Sequence, residues 1–369
     1  NHKDMKTRSI LLTTLCSLMI GMSFTACSDD DDEPEPIIDP VDYPAYILNE
    51  GTWGGNNANI SRFFPSYNTS TESDYYKQVN GKPLGDLANS IIEEDDNIYV
   101  IVGGSKYVVR LDLNCEEQAR YAFPQGEGEP RCIDVEDNYI YITQHGGRVS
   151  KLDAQTLELV ATFKGGDNLE GIVEKDGKLY VANAWRLEGS NNYIYNQEVL
   201  VIDAKTMTKS GSIPVVENPV KIYEINDRIY VISEGNYTTI PAALQVVDTK
   251  AGTSESILND VDKITEGHNG LIYGICSTYD ENWNSVNSFF TYSPKNGNVS
   301  EASFLQDAPS SFSSTVIYLL EVGGEQDFIY VGTSDYVTNG TIYQFDASGK
   351  LIRSFDSGGI NPKSIVFVD

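Results

Sequence analysis

The sequence predicts an all-β fold, a seven-bladed β-propeller of four-stranded antiparallel blades, from three observations. A hydrophobic–Tyr–hydrophobic segment recurs seven times, the recurring copies are followed by a strand that closes on Asp, and the last segment supplies the strand that the first repeat lacks. The copies are "YPAYILNE" from Tyr43, "DDNIYVIV" from Asp95, "DNYIYITQ" from Asp137, "DGKLYVAN" from Asp176, "NDRIYVIS" from Asn226, "NGLIYGIC" from Asn269 and "QDFIYVGT" from Gln326. Their central tyrosines, 46, 99, 141, 180, 230, 273 and 330, recur about every 47 residues, a propeller-blade period. Composition agrees, because 23 Tyr and 13 Phe against 4 Met, with many Gly and Asn, favour strands punctuated by turns.

Within a repeat, a short apolar segment comes first, often opened by Pro ("EPRCIDVE", "NPVKIYEI"), and the Tyr segment is the second strand. A variable loop leads to a third strand, "VVRLDL", "VSKLDA", "VLVIDA", "LQVVDT" or "IYQFDA", and a fourth such as "LELVATF" or "KLIRSF" returns. The closing aspartates, Asp112, Asp153, Asp203, Asp248 and Asp346, precede turn residues and read as turn caps rather than metal ligands or catalytic acids. The repeated Tyr reads as blade packing. The terminal "NPKSIVFVD" is a first strand without a second, so pairing it with the segment at Tyr43 closes the ring and removes a free edge. Residues 43–369 are therefore one propeller domain.

Residues 1–26 read as an export signal, with Lys6 and Arg8 ahead of an apolar run too short for a comfortable membrane span, ending in "FTAC". Small residues before Cys27 resemble a bacterial lipobox, which makes Cys27 the expected lipidation site. Residues 27–42, opening "CSDDDDEPEP", form an acidic, Pro-rich tether that cannot bury apolar surface. The chain carries a net charge of −28, and the signal takes with it more basic than acidic residues. That sign argues against nucleic acid as a partner. Cys115, Cys132 and Cys276 are too few and too scattered for a disulfide scaffold.

In a four-stranded meander, loops joining strands two and three share a face with the connections between blades. Here the opposite-face turns are short and uniform, whereas the two-to-three loops vary, as a binding surface on a rigid scaffold would. All three tryptophans, Trp53, Trp185 and Trp283, fall in them, with Tyr107, Tyr237, Tyr279 and Tyr336 and the polar Asn56, Asn57, Gln144, His145 and Arg186. Aromatics mixed with amides suit a large ligand with flat apolar faces and many neutral hydrogen-bonding groups. Catalysis is not expected: His145 lacks an evident His or Cys partner and His268 lies in a turn on the other face. The acids Glu127 and Glu129 in "QGEGEPR" keep a glycosidase or lyase open as an alternative, beside a glycan- or protein-binding module.

The segments "LNEGTWGGNNANISRF" and "NGKPLGDLANSI", the "IYV" repeats and the "NPKSIVFV" end resemble the surface-layer, YncE-like propeller lipoproteins of gut Bacteroidota. That group includes the BtuG-type vitamin B12-binding lipoproteins. The resemblance implies a lipid-anchored protein on the outer face of the outer membrane that captures a cobamide, such as cobalamin, and passes it to a TonB-dependent outer-membrane transporter. It implies no resident cofactor and no metal ligand from the protein.

Overall fold

The computed structural model describes residues 43–66 and 70–368; the signal, the tether and Cys27 lie outside the described residues. Seven antiparallel sheets follow one another around a ring. Blade 1 is built from both chain ends, Pro362–Phe367, Ala45–Asn49 and Asn59–Phe63, and Ile47 pairs with Ile365 in its register. Blades 2 to 4 run from Ala88–Glu94 to Glu117–Ala122, from Pro130–Glu136 to Leu159–Lys164 and from Asn168–Lys175 to Thr208–Pro214. Blades 5 to 7 run from Pro219–Ile225 to Thr253–Asn259, from Val261–Glu266 to Asn298–Ser300 and from Val316–Gly323 to Leu351–Asp356.

Among the described residues, blade 1 departs from the expected four strands and has three. Its outer strand is reduced to one bridge between Arg62 and Glu72, backed by a 2.8 Å ion pair and by the Arg62 guanidinium 3.9 Å above the Tyr75 ring. The intervening "PSYNTST" has Pro65, which cannot donate to a ladder, and no apolar alternation to bury. A short helix, Tyr75–Asn80, then leads to blade 2.

The seven repeated tyrosines are all buried, as packing residues should be. They do more than fill space. Tyr46 donates its hydroxyl to Leu113 O at 2.8 Å and Tyr99 donates to Ala154 O at 3.1 Å. Each acceptor lies immediately after the closing Asp of the next blade, so these rings latch one blade to its neighbour. At blade 3 Lys151 performs this task, donating to Ala204 O at 3.0 Å with its ammonium 5.3 Å from the Tyr141 ring centre. Tyr99→Phe should lower unfolding free energy by about 1 kcal/mol, read as a shifted urea midpoint with an unchanged m-value.

The closing aspartates cap their turns. Asp203 Oδ1 accepts the Lys205 and Thr206 amides at 3.1 and 2.7 Å, and Asp346 Oδ1 accepts those of Ser348 and Lys350 at 2.9 and 3.0 Å. The same pattern recurs at Asp112, Asp153 and Asp248. Side-chain oxygens in Asx turns satisfy amides that the hairpin leaves free.

Candidate functional site: the loop face and the channel mouth

The loop face is uneven because the two-to-three connections differ in length. Blades 2 and 3 turn tightly at residues 103–106 and 145–147, whereas blades 1 and 4 to 7 project. Blade 4 departs from the loop expected there. Lys178–Glu188 and Asn192–Asp203 continue as a paired ribbon out to Glu188 opposite Asn192, with Trp185 opposite Tyr195. The sequence on both sides of Gly189 is rich in strand formers (Leu187, Tyr193, Ile194, Tyr195), and this outweighs the local asparagines.

Large exposed aromatics concentrate on this face. Trp53 is 72 % exposed and Trp283 82 %, and Tyr193, Tyr237, Tyr279 and Tyr336 are exposed with them. Three of these residues hold an unusual backbone: Tyr237, Trp283 and Tyr336 have φ of 58°, 62° and 65°. The left-handed region costs a non-glycine residue about 1–2 kcal/mol and is uncommon for bulky side chains. The loops enforce it with local hydrogen bonds. Asn236 Oδ1 accepts the Thr239 and Ile240 amides at 2.9 and 2.8 Å, and Asp280 Oδ1 accepts those of Asn282 and Asn284, both at 2.8 Å. Asp335 Oδ1 accepts the Val337 and Thr338 amides at 2.9 and 2.7 Å, and these bonds hold its carboxyl down at about 2. Blades 5, 6 and 7 thus each present an exposed aromatic from a tied loop.

In blade 1 the loop carrying Trp53 is shaped from inside. Asn57 Oδ1 accepts the Thr52 amide at 2.8 Å, and Gly51 sits at φ 78°, where a Cβ would lie 2.6 Å from that same oxygen. Asn56 is exposed, with φ 48°.

The remaining expected residues divide. Tyr279 and Trp283 are neighbours at 6.2 Å between ring centres, and Trp185 lies against His145 at 5.6 Å and Tyr193 at 5.2 Å. Arg186 is held by Asn196 and Glu188 at 3.2 and 3.1 Å. Two residues are not brought to the surface. Tyr107 is buried, its hydroxyl bonded to Leu84 O and its ring 3.8 Å from the Arg120 guanidinium. Gln144 is fully buried, accepting from Ser150 Oγ at 2.6 Å. It belongs to a layer of polar pairs beneath the loops, repeated as Asn49–Ser61, Asn183–Glu198, Ser233–Gln245 and Ser277–Asn287 in blades 1, 4, 5 and 6. Both support the face from below.

His145 has a partner that no motif announced. Its Nε2 lies 2.8 Å from Glu170 Oε1, and Arg131 Nε donates to Glu170 Oε2 at 2.9 Å. Burial would raise the Glu170 carboxyl, but the His145 hydrogen bond and the Arg131 charge hold it below the usual range. An ionised Glu170 accepts, so His145 carries its proton on Nε2. Glu170→Ala should cost about 2–4 kcal/mol, because it strands the Arg131 guanidinium; chemical denaturation measures this.

These groups belong to a polar channel mouth that the sequence reading missed. Each inner strand carries one recurring buried aliphatic: Ile365, Ile91, Ile133, Ile172, Ile222, Ile264 and Leu320 in blades 1 to 7. Two residues before it, toward the loop face, stand Lys363, Asn89, Arg131, Glu170, Val220, Asp262 and Tyr318. Aligning the repeats on that aliphatic is the signal that finds them. Lys363 Nζ donates to Glu50 Oε1 at 2.6 Å, Lys221 Nζ to Asp262 Oδ1 at 2.8 Å and Lys263 Nζ to Asp262 Oδ2 at 2.6 Å. Burial would raise the Asp262 carboxyl, but the two lysine charges hold it far below the usual carboxylate range. A separate shallow cavity on the opposite face, lined by His268, Asn269 and Asp327, lacks exposed aromatics.

Residues 43–213, which run from the N-terminal strands of blade 1 into the last strand of blade 4, match a family model described as a domain of unknown function, DUF5074. No curated protein matches the chain in sequence. Among solved structures, Kuenenia stuttgartiensis hydrazine synthase is similar at 16 % identity and a TM-score of 0.56, over 77 % of this chain and 80 % of that one. BamB from Moraxella catarrhalis (11 % identity, TM-score 0.49, 85 % and 83 % covered) and the computationally designed Ika8 protein (11 %, 0.49, 75 % and 88 %) are also similar. At such identities the likeness to the synthase extends to the fold alone.

Proposed function

We propose that this propeller is a binding protein rather than an enzyme, and that it captures a cobamide on its loop face. In this reading the chain is lipid-anchored through Cys27 on the outer face of the outer membrane and hands its ligand to a TonB-dependent transporter. The observation that carries the reading is the set of exposed aromatic rings on one face, three of them on left-handed backbone. Strained residues of this kind cluster at functional sites, and exposed Trp and Tyr supply large contact area at little entropic cost. A corrin offers a broad face to such rings and a fringe of amides to Asn56, Asn57 and Arg186. Glu127, one of the two acids that a hydrolase reading would use, is engaged by Arg148 at 3.0 Å, which favours a structural role for it.

Calorimetric titration of residues 43–369 with cyanocobalamin tests this. Saturable binding at micromolar concentration or tighter is expected. Absence of heat, together with no co-migration on gel filtration, would overturn it, and a glycan array would then test the same rings as sugar platforms.

A further inference from the structure

The channel holds a pair of lysines that capture on the rim does not use. Lys221 of blade 5 and Lys263 of blade 6 sit on one carboxylate. Lys221 Nζ donates to Asp262 Oδ1 at 2.8 Å and to Asp262 O at 2.5 Å, and Lys263 Nζ donates to Asp262 Oδ2 at 2.6 Å. Both line a half-open cavity of about 610 Å³ between the inner strands of blades 1, 2, 5, 6 and 7. The cavity as a whole is not cationic, because Glu224, Glu266 and Glu321 line it too. The unusual feature is local: two amines share one carboxylate, and they share it unequally. Burial would lower the Lys221 ammonium, but the Asp262 charge raises it above the usual lysine range. Burial and the Lys221 charge bring Lys263 down to about 8. One amine of the pair is thus a fixed cation, and the other gives up its proton near neutral pH and exposes a lone pair. A partly desolvated amine beside another cation is the setting that makes lysine a nucleophile toward carbonyl carbon.

We propose that the channel is a second ligand site, in which Lys263 captures a small aldehyde or ketone as a reversible imine. The Lys263 Nζ lone pair attacks the carbonyl carbon and forms the C–N bond, while the C=O π pair moves to oxygen. A proton passes from nitrogen to that oxygen through solvent and gives the carbinolamine. The C–O bond then breaks, the nitrogen lone pair closes C=N, the second N–H proton is lost to solvent, and the oxygen leaves as water. Amine and carbonyl give imine and water, and nothing is oxidised or reduced. Asp262 keeps Lys263 at the cavity wall, and its other oxygen keeps Lys221 charged beside it. Ile264, Leu319 and Leu320 line the same cavity, so an alkyl chain on the carbonyl has apolar surface to cover.

The test incubates the unmodified protein with butanal and sodium cyanoborohydride at about pH 7.4. Each imine is reduced to a stable butyl-lysine, which peptide mass spectrometry locates and counts. A lysine titrating near 8 holds on the order of a hundredfold more free amine at that pH than an ordinary one, and narrower access in the channel returns part of the gain. Lys263 is therefore expected to be labelled about tenfold faster than the exposed Lys205 and Lys250, at a rate that reaches a plateau as butanal is raised. Lys221→Met removes the neighbouring charge and should bring Lys263 back toward the rate of the surface lysines. Labelling of Lys263 no faster than that of Lys205 and Lys250, a rate linear in butanal, or a folded Lys221→Met variant that labels as before would each overturn the proposal. The first two readings come from the unmodified protein and stand whether or not the variant folds.

Discussion

Trp283→Gly is expected to weaken cyanocobalamin binding by about ten- to a hundredfold while changing the stability of the propeller by no more than about 1 kcal/mol. The two halves of this result rest on different features of one residue. The side chain is 82 % exposed, so its removal opens no cavity and uncovers little apolar surface. Its backbone sits at φ 62°, a conformation that glycine adopts freely, and the strain that is relieved offsets the entropy glycine adds to the unfolded chain. The Asp280 carboxylate still accepts the Asn282 and Asn284 amides, and the loop keeps its form. What disappears is a large rigid face beside Tyr279. Paired calorimetry and thermal melts decide it: unchanged affinity would remove Trp283 from the site, and a large loss of melting temperature would make it a structural residue.

The repeat made the fold legible, because the apolar-Tyr-apolar segment and the closing Asp each recur at fixed positions within a blade and each has a local physical cause. The rim was legible in part. Its exposed tryptophans lie in segments too polar for a core, but nothing in "DENWNS" or "SDYVTN" states that Trp283 and Tyr336 adopt positive φ. The turn-capping Asp280 and Asp335 were visible there, and they are the half of the signal the sequence contained. Tyr107 and Gln144 were misplaced because a strand end and a loop start are indistinguishable by composition; one residue decides whether a side chain faces the polar layer or the ligand. The channel mouth was illegible for a different reason. Lys363, Arg131, Glu170 and Asp262 are scattered over the chain, and only superposing the blades on their inner aliphatic places them in one ring. Pairings such as His145 with Glu170 arise from ring geometry and have no sequence spacing to announce them.

Truncation before Pro362 is expected to abolish cooperative folding, and Ile365→Ala to cost about 2–4 kcal/mol. The last strand is the inner strand of blade 1, and the sheet order leaves Ala45–Asn49 paired on one side only without it. Ile365 packs in one cluster with Ala45, Ile47 and Phe63 of blade 1 and Leu319, Tyr330 and Ile342 of blade 7, so it joins the last blade to the first. The approach to the strand is tied as firmly. Asn361 O accepts the Glu50 amide at 2.9 Å, Asn361 Nδ2 donates to Gly51 O at 2.9 Å and Asn49 Nδ2 donates to Ser357 O at 3.1 Å. Truncation would leave that apolar cluster and a strand edge open to solvent, which favours association between chains over a closed ring. Size-exclusion chromatography and urea unfolding read the outcome, and a monomeric, cooperatively folding truncation would show that the closure is dispensable. Ile365→Ala keeps the strand and tests the same joint by degree: a midpoint shift with an unchanged m-value assigns the loss to the seam, since the strand and its Lys363–Glu50 ion pair remain in place.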